Sequence, residues 1–204
     1  MIRVTLDGKA VEFSKTMTIL EAAGEVGIKI PTLCHNEHIK PYGGCRLCLV
    51  DVALPRAPDA FRLIPSCCSD IMEGHIIRTD TENVKNARNF ILQLFLSRCP
   101  DSEELRKMAK DLGVPSVDDR EALGPVGNYL LTRTKPLFET KCILCGLCVR
   151  VCDEITERDA ISFSTRGMDR KVKTPFDRVA ETCIGCGSCA YVCPTNAVTV
   201  EEAP

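Results

Sequence analysis

Apolar and polar side chains alternate at the start of the chain. The alternation runs through residues 2–6, and it resumes over residues 10–13 after the pair Asp7-Gly8. A period of two places the apolar side chains on one face of a strand, and Asp-Gly between two such runs is a strong turn signal. The pattern therefore predicts a β-hairpin.

A helical pattern follows the hairpin. Thr18 and Glu21 have the spacing of a capping box, and apolar residues then recur at helical spacing until Gly27. After a cysteine-rich loop, the apolar run 49–52 predicts a further strand. A hairpin, a helix and a cysteine-rich loop, in this order, predict a β-grasp [2Fe–2S] ferredoxin-like domain over residues 1–78.

Residues 79–112 have a helical period throughout. One helix is predicted to begin near residues 79–82 and to end before Pro100, and Asp101 is interpreted as the cap of a second helix. Glycine and proline are frequent over residues 113–136, which favours a long surface connection. We interpret residues 79–136 as a helical bridge and connection.

The last part of the chain is an internal pseudo-repeat. Each half contains a cysteine triplet, a short predicted helix and a predicted strand, at residues 160–163 and 197–200. A basic insertion, residues 164–178, separates the halves and predicts a solvated hairpin, with a docking patch as the alternative. Residues 137–204 are predicted to form a second cluster domain, and the fold class is α+β.

Fourteen cysteines in 204 residues are far above average usage, and eight of them form two runs of the same spacing, C-x2-C-x2-C-x3-C. This spacing holds cubane clusters in bacterial-type ferredoxins, where the fourth cysteine of each run ligates the neighbouring cluster. Two four-cysteine zinc sites are the alternative, although zinc motifs usually supply pairs rather than triplets. The predicted ligands of two [4Fe–4S] clusters are Cys142, Cys145, Cys148 and Cys193 for one, and Cys183, Cys186, Cys189 and Cys152 for the other.

The residues around the two runs fit such loops. Gly146 and Gly187 lie inside them, where the backbone must bend closely around inorganic sulfide. Ile143 and Ile184 are expected to shield the clusters from water. Asp153 follows Cys152 where the second run has a proline after its last cysteine, and this difference is expected to alter the local polarity.

A third group of cysteines lies in the first domain. It comprises Cys34, Cys45, Cys48 and the adjacent pair Cys67-Cys68. Four thiolates from this group would bind one [2Fe–2S] cluster, although the spacing differs from that of plant-type ferredoxins. Gly43 and Gly44 favour this interpretation, because a loop around a cluster needs close backbone approach.

Composition excludes several classes of function. The chain has 26 basic and 28 acidic residues, no tryptophan and 5% aromatic residues, so nucleic acid is not an expected partner. No apolar run reaches membrane-spanning length, and the first residues do not resemble a signal peptide. The cysteines are therefore expected to be metal ligands in a reducing, cytoplasmic compartment.

We find no dinucleotide fingerprint and no nucleophile with its base, and expect no catalytic residues or substrate-transforming site in this chain. Clusters whose iron positions are all held by cysteine exchange electrons, which predicts an electron-transfer protein. An iron–sulfur sensor or assembly scaffold is the alternative from a different class.

Several segments resemble the start of the large iron–sulfur subunit of respiratory NADH dehydrogenase (complex I). They are equally similar to the diaphorase iron–sulfur subunit of NAD-linked hydrogenases and formate dehydrogenases. The segments are residues 30–34, 44–52, 65–74, 140–146 and 174–177.

The resemblance implies an electron-transfer subunit of a soluble NAD(H)-linked complex. Its implied partners are a flavin (FMN or FAD) subunit that oxidises NAD(P)H and a second redox catalytic subunit or ferredoxin. An NADP- or ferredoxin-linked transhydrogenase or bifurcating complex is the alternative within this class.

The resemblance also implies Cys67 rather than Cys68 as a [2Fe–2S] ligand, because the family's ligand precedes a Glu-Gly pair by six residues, as Cys67 precedes Glu73. The family's usual histidine-ligated cubane cannot form here, since residues 79–141 contain only Cys99 and no histidine. This leaves three clusters. Cys99 is expected to be a packed free cysteine, His35 to tune the [2Fe–2S] cluster, and His38 and His75 to be surface residues.

Overall fold

The structure is a computed structural model that describes residues 1–114 and 140–200. Its contacts divide the chain into two compact units. Unit 1 consists of Met1–Leu33 and Pro41–Gln93, and unit 2 consists of Cys34–Lys40 and the described part of Leu94–Pro204. The division falls inside a helix, whereas the sequence placed a domain boundary at residue 78.

Unit 1 is built on a five-stranded mixed sheet with the strand order β2-β1-β5-β3-β4. The predicted hairpin is confirmed, since β1 and β2 pair antiparallel around Asp7 and Gly8, both of which have positive φ. Strand β5 pairs parallel with β1 and antiparallel with β3. The strands are β1 (Ile2–Leu6), β2 (Lys9–Phe13), β3 (Leu49–Leu54), β4 (Ala57–Pro65) and β5 (Ile76–Arg78).

Helix α1 (Ile19–Glu25) supplies the other side of the unit 1 core. The predicted capping box is present: the Glu21 N–H donates to Thr18 Oγ1 at 3.2 Å, and the Thr18 N–H donates to Glu21 Oε2 at 2.7 Å. Ile19 packs into a core that contains Leu6 and Ile77 from the sheet. Each such side chain contributes about 1.5–3 kcal/mol when it is fully buried.

Two helices follow the sheet, α2 (Glu82–Arg98) and α3 (Glu103–Asp111). The predicted cap of the second helix is wrong by one residue. Ser102 is the N-cap, and its Oγ accepts the Leu105 N–H at 3.4 Å. The Ser102 N–H itself bonds the Cys99 carbonyl at 3.2 Å, so a turn from Cys99 to Ser102 contains Asp101 and delays the start of the helix.

The residues of unit 2 that the structure describes have little regular structure beyond their helices. The two short helices predicted after the cysteine triplets are present, α4 (Leu147–Glu154) and α5 (Ser188–Tyr191). Strands β6 (Ser162–Ser164) and β7 (Lys171–Lys173) pair as an antiparallel hairpin, which confirms the hairpin predicted for the basic insertion.

The strands of the pseudo-repeat are only partly as predicted. Strand β6 begins two residues later than expected, and residues 197–200 form no strand, so that prediction is wrong. The backbone groups of β6 pair with β7 inside the insertion. The predicted surface connection lies outside the described residues from residue 115 onward. No described helix has both the length and the apolar character that crossing a bilayer requires.

Candidate metal centres

Three buried cysteines of unit 1 lie around the adjacent ends of β3 and β4. Cys48 directly precedes β3, and Cys67 lies in a short 3-10 helix, Ser66–Cys68, directly after β4. The register pairs Leu49 with Pro65, so the two strand ends bring Cys48 and Cys67 together. Cys45, Cys48 and Cys67 are all at most 6% exposed.

The contact between these thiols favours the thiolate form of one of them. A hydrogen bond with the Cys67 side chain lowers the pKa of Cys48 to about 6, against the opposing effects of burial and of Cys45. The thiolate is the form that binds iron, so the folded chain prepares Cys48 for ligation.

The neighbouring thiol, Cys68, has a different environment. It is exposed, its Sγ donates weakly to the Pro65 carbonyl at 3.9 Å, and a Cβ added at Gly43 would lie only 2.8 Å from that Sγ. Gly43 also has φ +64, which L-residues rarely adopt. The loop therefore needs glycine at this position, both for its backbone angle and for the space that Cys68 occupies.

The fourth predicted [2Fe–2S] ligand, Cys34, is 1% exposed and begins the segment 34–40 that belongs to unit 2. Its carbonyl oxygen accepts a hydrogen bond from Arg150 Nη2 at 2.9 Å. The sequence offered no signal for this arginine. Within unit 2, Ile39 from the same segment packs against Leu147 and Val151 of α4.

A cavity of about 640 Å³ in unit 2 is lined by Cys142, Cys145, Cys148 and Cys193. These are three cysteines of the first run and the last cysteine of the second run. Gly146 (φ +77) is the N-cap of α4, and this left-handed residue turns the loop that carries the triplet into the helix.

The thiols around this cavity lie close enough to affect one another. Burial, together with the neighbouring Cys145, Cys142 and Cys193, raises the pKa of Cys148 to about 12. Four thiolates at one place repel each other, and bound metal of opposite charge would relieve this repulsion. Cys193 Sγ in addition accepts the Ala197 N–H at 3.1 Å.

A second cavity, of about 470 Å³, is lined by Cys183, Cys186, Cys189 and Cys152. Gly187 (φ +73) is the N-cap of α5, as Gly146 is of α4. Cys152 Sγ accepts the Ala160 N–H at 3.3 Å, so the last cysteine of each run accepts a backbone N–H. A hydrogen bond of 3.4 Å joins Cys186 Sγ to Ser188 Oγ and lowers the pKa of Cys186.

The two cavities differ in exposure. Ile143, which lines the first, is 6% exposed, whereas Ile184, which lines the second, is 60% exposed. Both isoleucines border the cavities as expected, and their shielding of clusters stays a prediction. Cys183 and Cys186 are also exposed.

The remaining candidates are divided between surface and core. Cys99 is buried, and burial raises its pKa to about 11, as expected of a packed free cysteine. His38 is exposed beside Glu37. The prediction of a surface position for His75 is wrong: it is 5% exposed, its Nδ1 accepts the Met72 N–H at 3.3 Å, and burial lowers its pKa.

The cavities are large for a single ion, since a water molecule in the liquid occupies about 30 Å³. Among residues 1–114 and 140–200, no three His, Cys, Asp or Glu side chains converge on a position for one metal ion. Four cysteines are among the residues that line each cavity of unit 2. Soft thiolates around a wide cavity fit a multi-atom iron–sulfur core.

Two protein families match separate parts of the chain. Residues 1–82 match the family described as a 2Fe-2S iron-sulfur cluster binding domain, and residues 141–197 match the 4Fe-4S dicluster domain. The matches contain the cysteines of the first group and both cysteine runs, respectively.

Comparison with known proteins extends the similarity to nearly the whole chain. An NADH-quinone oxidoreductase subunit of Rhizobium meliloti (strain 1021) is 32% identical over 97% of this chain and 24% of the relative. NADP-reducing hydrogenase subunit HndD of Solidesulfovibrio fructosivorans is 30% identical over 99% of this chain and 36% of the relative. The chain thus spans about a quarter to a third of these relatives' length.

A solved structure shares the fold. One chain in the crystal structure of NAD+-reducing [NiFe]-hydrogenase in the H2-reduced state matches with a TM-score of 0.73, covering 96% of this chain and 86% of that chain at 23% identity. The expected α+β architecture, with an N-terminal [2Fe–2S] ferredoxin domain and a C-terminal dicluster domain, is confirmed. The chain is thus similar in sequence to an NADH-quinone oxidoreductase subunit and to an NADP-reducing hydrogenase subunit, and it shares its fold with a chain of an NAD+-reducing hydrogenase.

Proposed function

We propose that the chain is an electron-transfer subunit of an NAD(H)-linked oxidoreductase. It relays electrons between a flavin subunit, with FMN or FAD, and a second redox subunit or ferredoxin. One observation carries the proposal: the two cysteine runs contribute crosswise to two cavities, three cysteines from one run and one from the other in each case. Such crossing is the arrangement of a two-cluster ferredoxin.

We assign three clusters to the twelve cysteines of the two domains. The [2Fe–2S] cluster takes Cys34, Cys45, Cys48 and Cys67, of which the last three are buried side by side in unit 1. The first [4Fe–4S] cluster takes Cys142, Cys145, Cys148 and Cys193, and the second takes Cys183, Cys186, Cys189 and Cys152. When bound, these clusters supply one-electron redox centres.

The chain's own residues prepare and tune these sites. The hydrogen bond of Cys48 with Cys67 lowers the pKa of Cys48 and so favours a thiolate before metal binds. Backbone N–H groups of Ala160 and Ala197 and the hydroxyl of Ser188 lie at hydrogen-bonding distance from ligand sulfurs. Such contacts stabilise negative charge on sulfur and thereby raise the potential of a site.

The different burial of the two unit 2 sites supports a relay. The first cavity lies beside the buried Ile143, and the second is bordered by the exposed Ile184 and Val200. Solvent exposure is one of the factors that set cluster potentials, so two sites with the same ligands acquire different potentials. The exposed site is the more accessible of the two to a redox partner.

The identity of the nucleotide is an open choice within this function. NAD(H) is favoured by the similarity to the NADH-quinone oxidoreductase subunit and to the NAD+-reducing hydrogenase. NADP(H) is favoured by two other relatives, the NADP-reducing hydrogenase subunit HndD and the NADPH-Fe(3+) oxidoreductase subunit alpha of Geobacter sulfurreducens. We place the complex in the cytoplasm, where reducing conditions keep ligand cysteines from forming disulfides.

Anaerobic purification of the native assembly tests the proposal. We expect about ten irons per chain, two plus four plus four, and a co-purifying flavoprotein that reduces the clusters with NADH or NADPH. The rates of cluster reduction with NADH and with NADPH distinguish an NAD(H)-linked from an NADP(H)-linked complex. Colourless, iron-free material would refute the function, and about fourteen irons would refute the assignment of three clusters.

A further inference from the structure

Two arginines of unit 2 donate hydrogen bonds to the backbone of cysteines that we assign as ligands. Arg98 Nε donates to the Cys142 carbonyl oxygen at 2.9 Å, and Arg150 Nη2 donates to the Cys34 carbonyl oxygen at 2.9 Å. Both arginines are half-buried. The two contacts are alike in chemistry and distance, but they hold cysteines of two different clusters.

Arg150 is fixed in place by α4 and by its second contact. It also donates through Nη1 to the Lys40 carbonyl, while the Lys40 N–H donates to Glu154 Oε2 at 2.8 Å. Ile39 packs against α4 beside these bonds. The guanidinium thus holds both ends of the segment 34–40 on one face of the helix.

Arg98 occupies a comparable position at the end of α2. It lines the 640 Å³ cavity together with Cys142, and its guanidinium bonds that cysteine's carbonyl. The Cys142 N–H donates in turn to Thr140 Oγ1 at 3.0 Å. The backbone of Cys142 is therefore held on both sides.

A fixed positive charge at these places affects reduction in a defined direction. Reduction of a cluster adds one electron and no proton, so its negative charge increases by one. An arginine is always protonated, and its attraction for the cluster is stronger in the reduced state than in the oxidised state. Partial burial limits screening by water and salt. The guanidinium therefore raises the reduction potential of the nearby cluster.

We propose that Arg98 and Arg150 are positioning residues that raise the reduction potentials of two separate clusters. Arg98 acts on the [4Fe–4S] cluster of Cys142, and Arg150 acts on the [2Fe–2S] cluster of Cys34. This inference rests on the ligand sets of the proposed function. It adds that each cluster's potential depends on its own arginine, which no motif in the sequence indicates.

Redox titration with dithionite and mediators, followed by EPR, tests the proposal on the holoprotein. Arg98→Gln should lower the potential of the cubane signal that Cys142→Ser alters and leave the [2Fe–2S] potential unchanged. Arg150→Gln should lower the [2Fe–2S] potential and leave the potential of that cubane unchanged. Arg98→Lys and Arg150→Lys keep the positive charge, so their potentials should stay closer to the wild type than those of the glutamine variants.

Arg106→Gln is the matched control, because Arg106 Nε donates at 2.7 Å to the carbonyl of Pro100, which is not a cysteine. It should leave all potentials unchanged. Wild-type protein without iron would refute the proposed function itself. The inference alone would be overturned if fully loaded glutamine variants showed no shift of the reduction potential, or if all clusters shifted equally. It would also be overturned if the potentials in the lysine variants fell as far as those in the glutamine variants. If Arg150→Gln fails to load its cluster, Arg150→Met, which also lacks the positive charge, replaces it and is judged by the same shift.

Discussion

The backbone N–H of Ser66 donates to the carbonyl oxygen of Cys48 at 3.1 Å. This bond extends the pairing of β3 and β4 by one step and fixes the backbone around Cys67 beside Cys48. Ser66 itself is fully buried, and Cys67 after it is 1% exposed. The strand register, rather than the loop sequence, therefore decides which of the two adjacent cysteines lies beside the other buried thiols.

This relationship predicts different effects for two neighbouring substitutions. Cys67→Ser should abolish the [2Fe–2S] EPR signal of the reduced protein and remove about two irons per chain, because one of four thiolates is lost. Cys68→Ser should retain the signal, since this thiol is exposed and packs against Gly43. Both variants should keep the cubane signals. Loss of the [2Fe–2S] signal in Cys68→Ser with its retention in Cys67→Ser would reverse our assignment.

Local sequence signals were sufficient to predict the first hairpin and the start of α1. The hairpin and the cap of α1 depend on residues at most a few positions apart, Asp7 with Gly8 and Thr18 with Glu21. Strands β4 and β5 could not be predicted in this way. Strand β4 is a largely exposed edge strand with prolines, and β5 has only three residues, paired with strands far away in sequence.

The cysteine spacing correctly predicted which cysteines line each cavity of unit 2, but it did not indicate which other side chains lie around these cysteines. Spacing constrains the ligands because a cubane needs thiolates at fixed short intervals along the loop. The roles of Arg98 and Arg150 and the exposure of Ile184 depend on tertiary packing, so no local pattern could indicate them. The surface expectation for His75 failed for the same reason, since its burial depends on β1 and the turn at Met72.

The hydroxyl of Ser188 is expected to tune the second cubane. It lies 3.4 Å from Cys186 Sγ, whereas Thr195 Oγ1 lies 3.9 Å from Cys193 Sγ at the first. In the structure the Cys186 thiol donates to Ser188 Oγ, and as a ligating thiolate Cys186 would instead accept from that hydroxyl. Ser188→Ala removes this contact with negative sulfur, so the potential of the second cubane should fall, by about 40 mV for a net hydrogen bond of about 1 kcal/mol. Redox titration followed by EPR measures this shift.

Thr195→Val provides the reciprocal variant for that measurement. It removes the more distant hydroxyl at the first cubane with little change of volume, and should produce a smaller fall confined to that cluster. A rise of either potential, or a Ser188→Ala effect on the first cubane alone, would contradict the assignment of these contacts.

Asp51 is expected to be important for the stability of unit 1. Its buried carboxylate accepts from Thr81 Oγ1 at 2.6 Å and from Asn83 Nδ2 at 2.8 Å, and so ties β3 to the start of α2. Asp51→Ala should lower the free energy of unfolding by about 1–2 kcal/mol, because two hydrogen bonds to a buried acceptor are lost while their donors, the half-buried Thr81 and the exposed Asn83, can still reach water. Anaerobic thermal unfolding followed by circular dichroism measures the loss. The exposed Asp59→Ala is the control, and an equal effect there would contradict the prediction.

Two exposed glycines with open space around them should respond to alanine in opposite ways. Gly24 lies inside α1 and Gly8 lies in the hairpin turn with φ +82, and an added Cβ would meet no atom within 4 Å at either position. Gly24→Ala should stabilise the protein by about 0.5–1 kcal/mol, since glycine is a poor helix former. Gly8→Ala should destabilise it by about 1–2 kcal/mol, because only the backbone angle is unfavourable. The same anaerobic thermal unfolding compares the two variants. Equal shifts of the unfolding temperature in the two variants would mean that backbone conformation does not determine the effect of alanine at these positions.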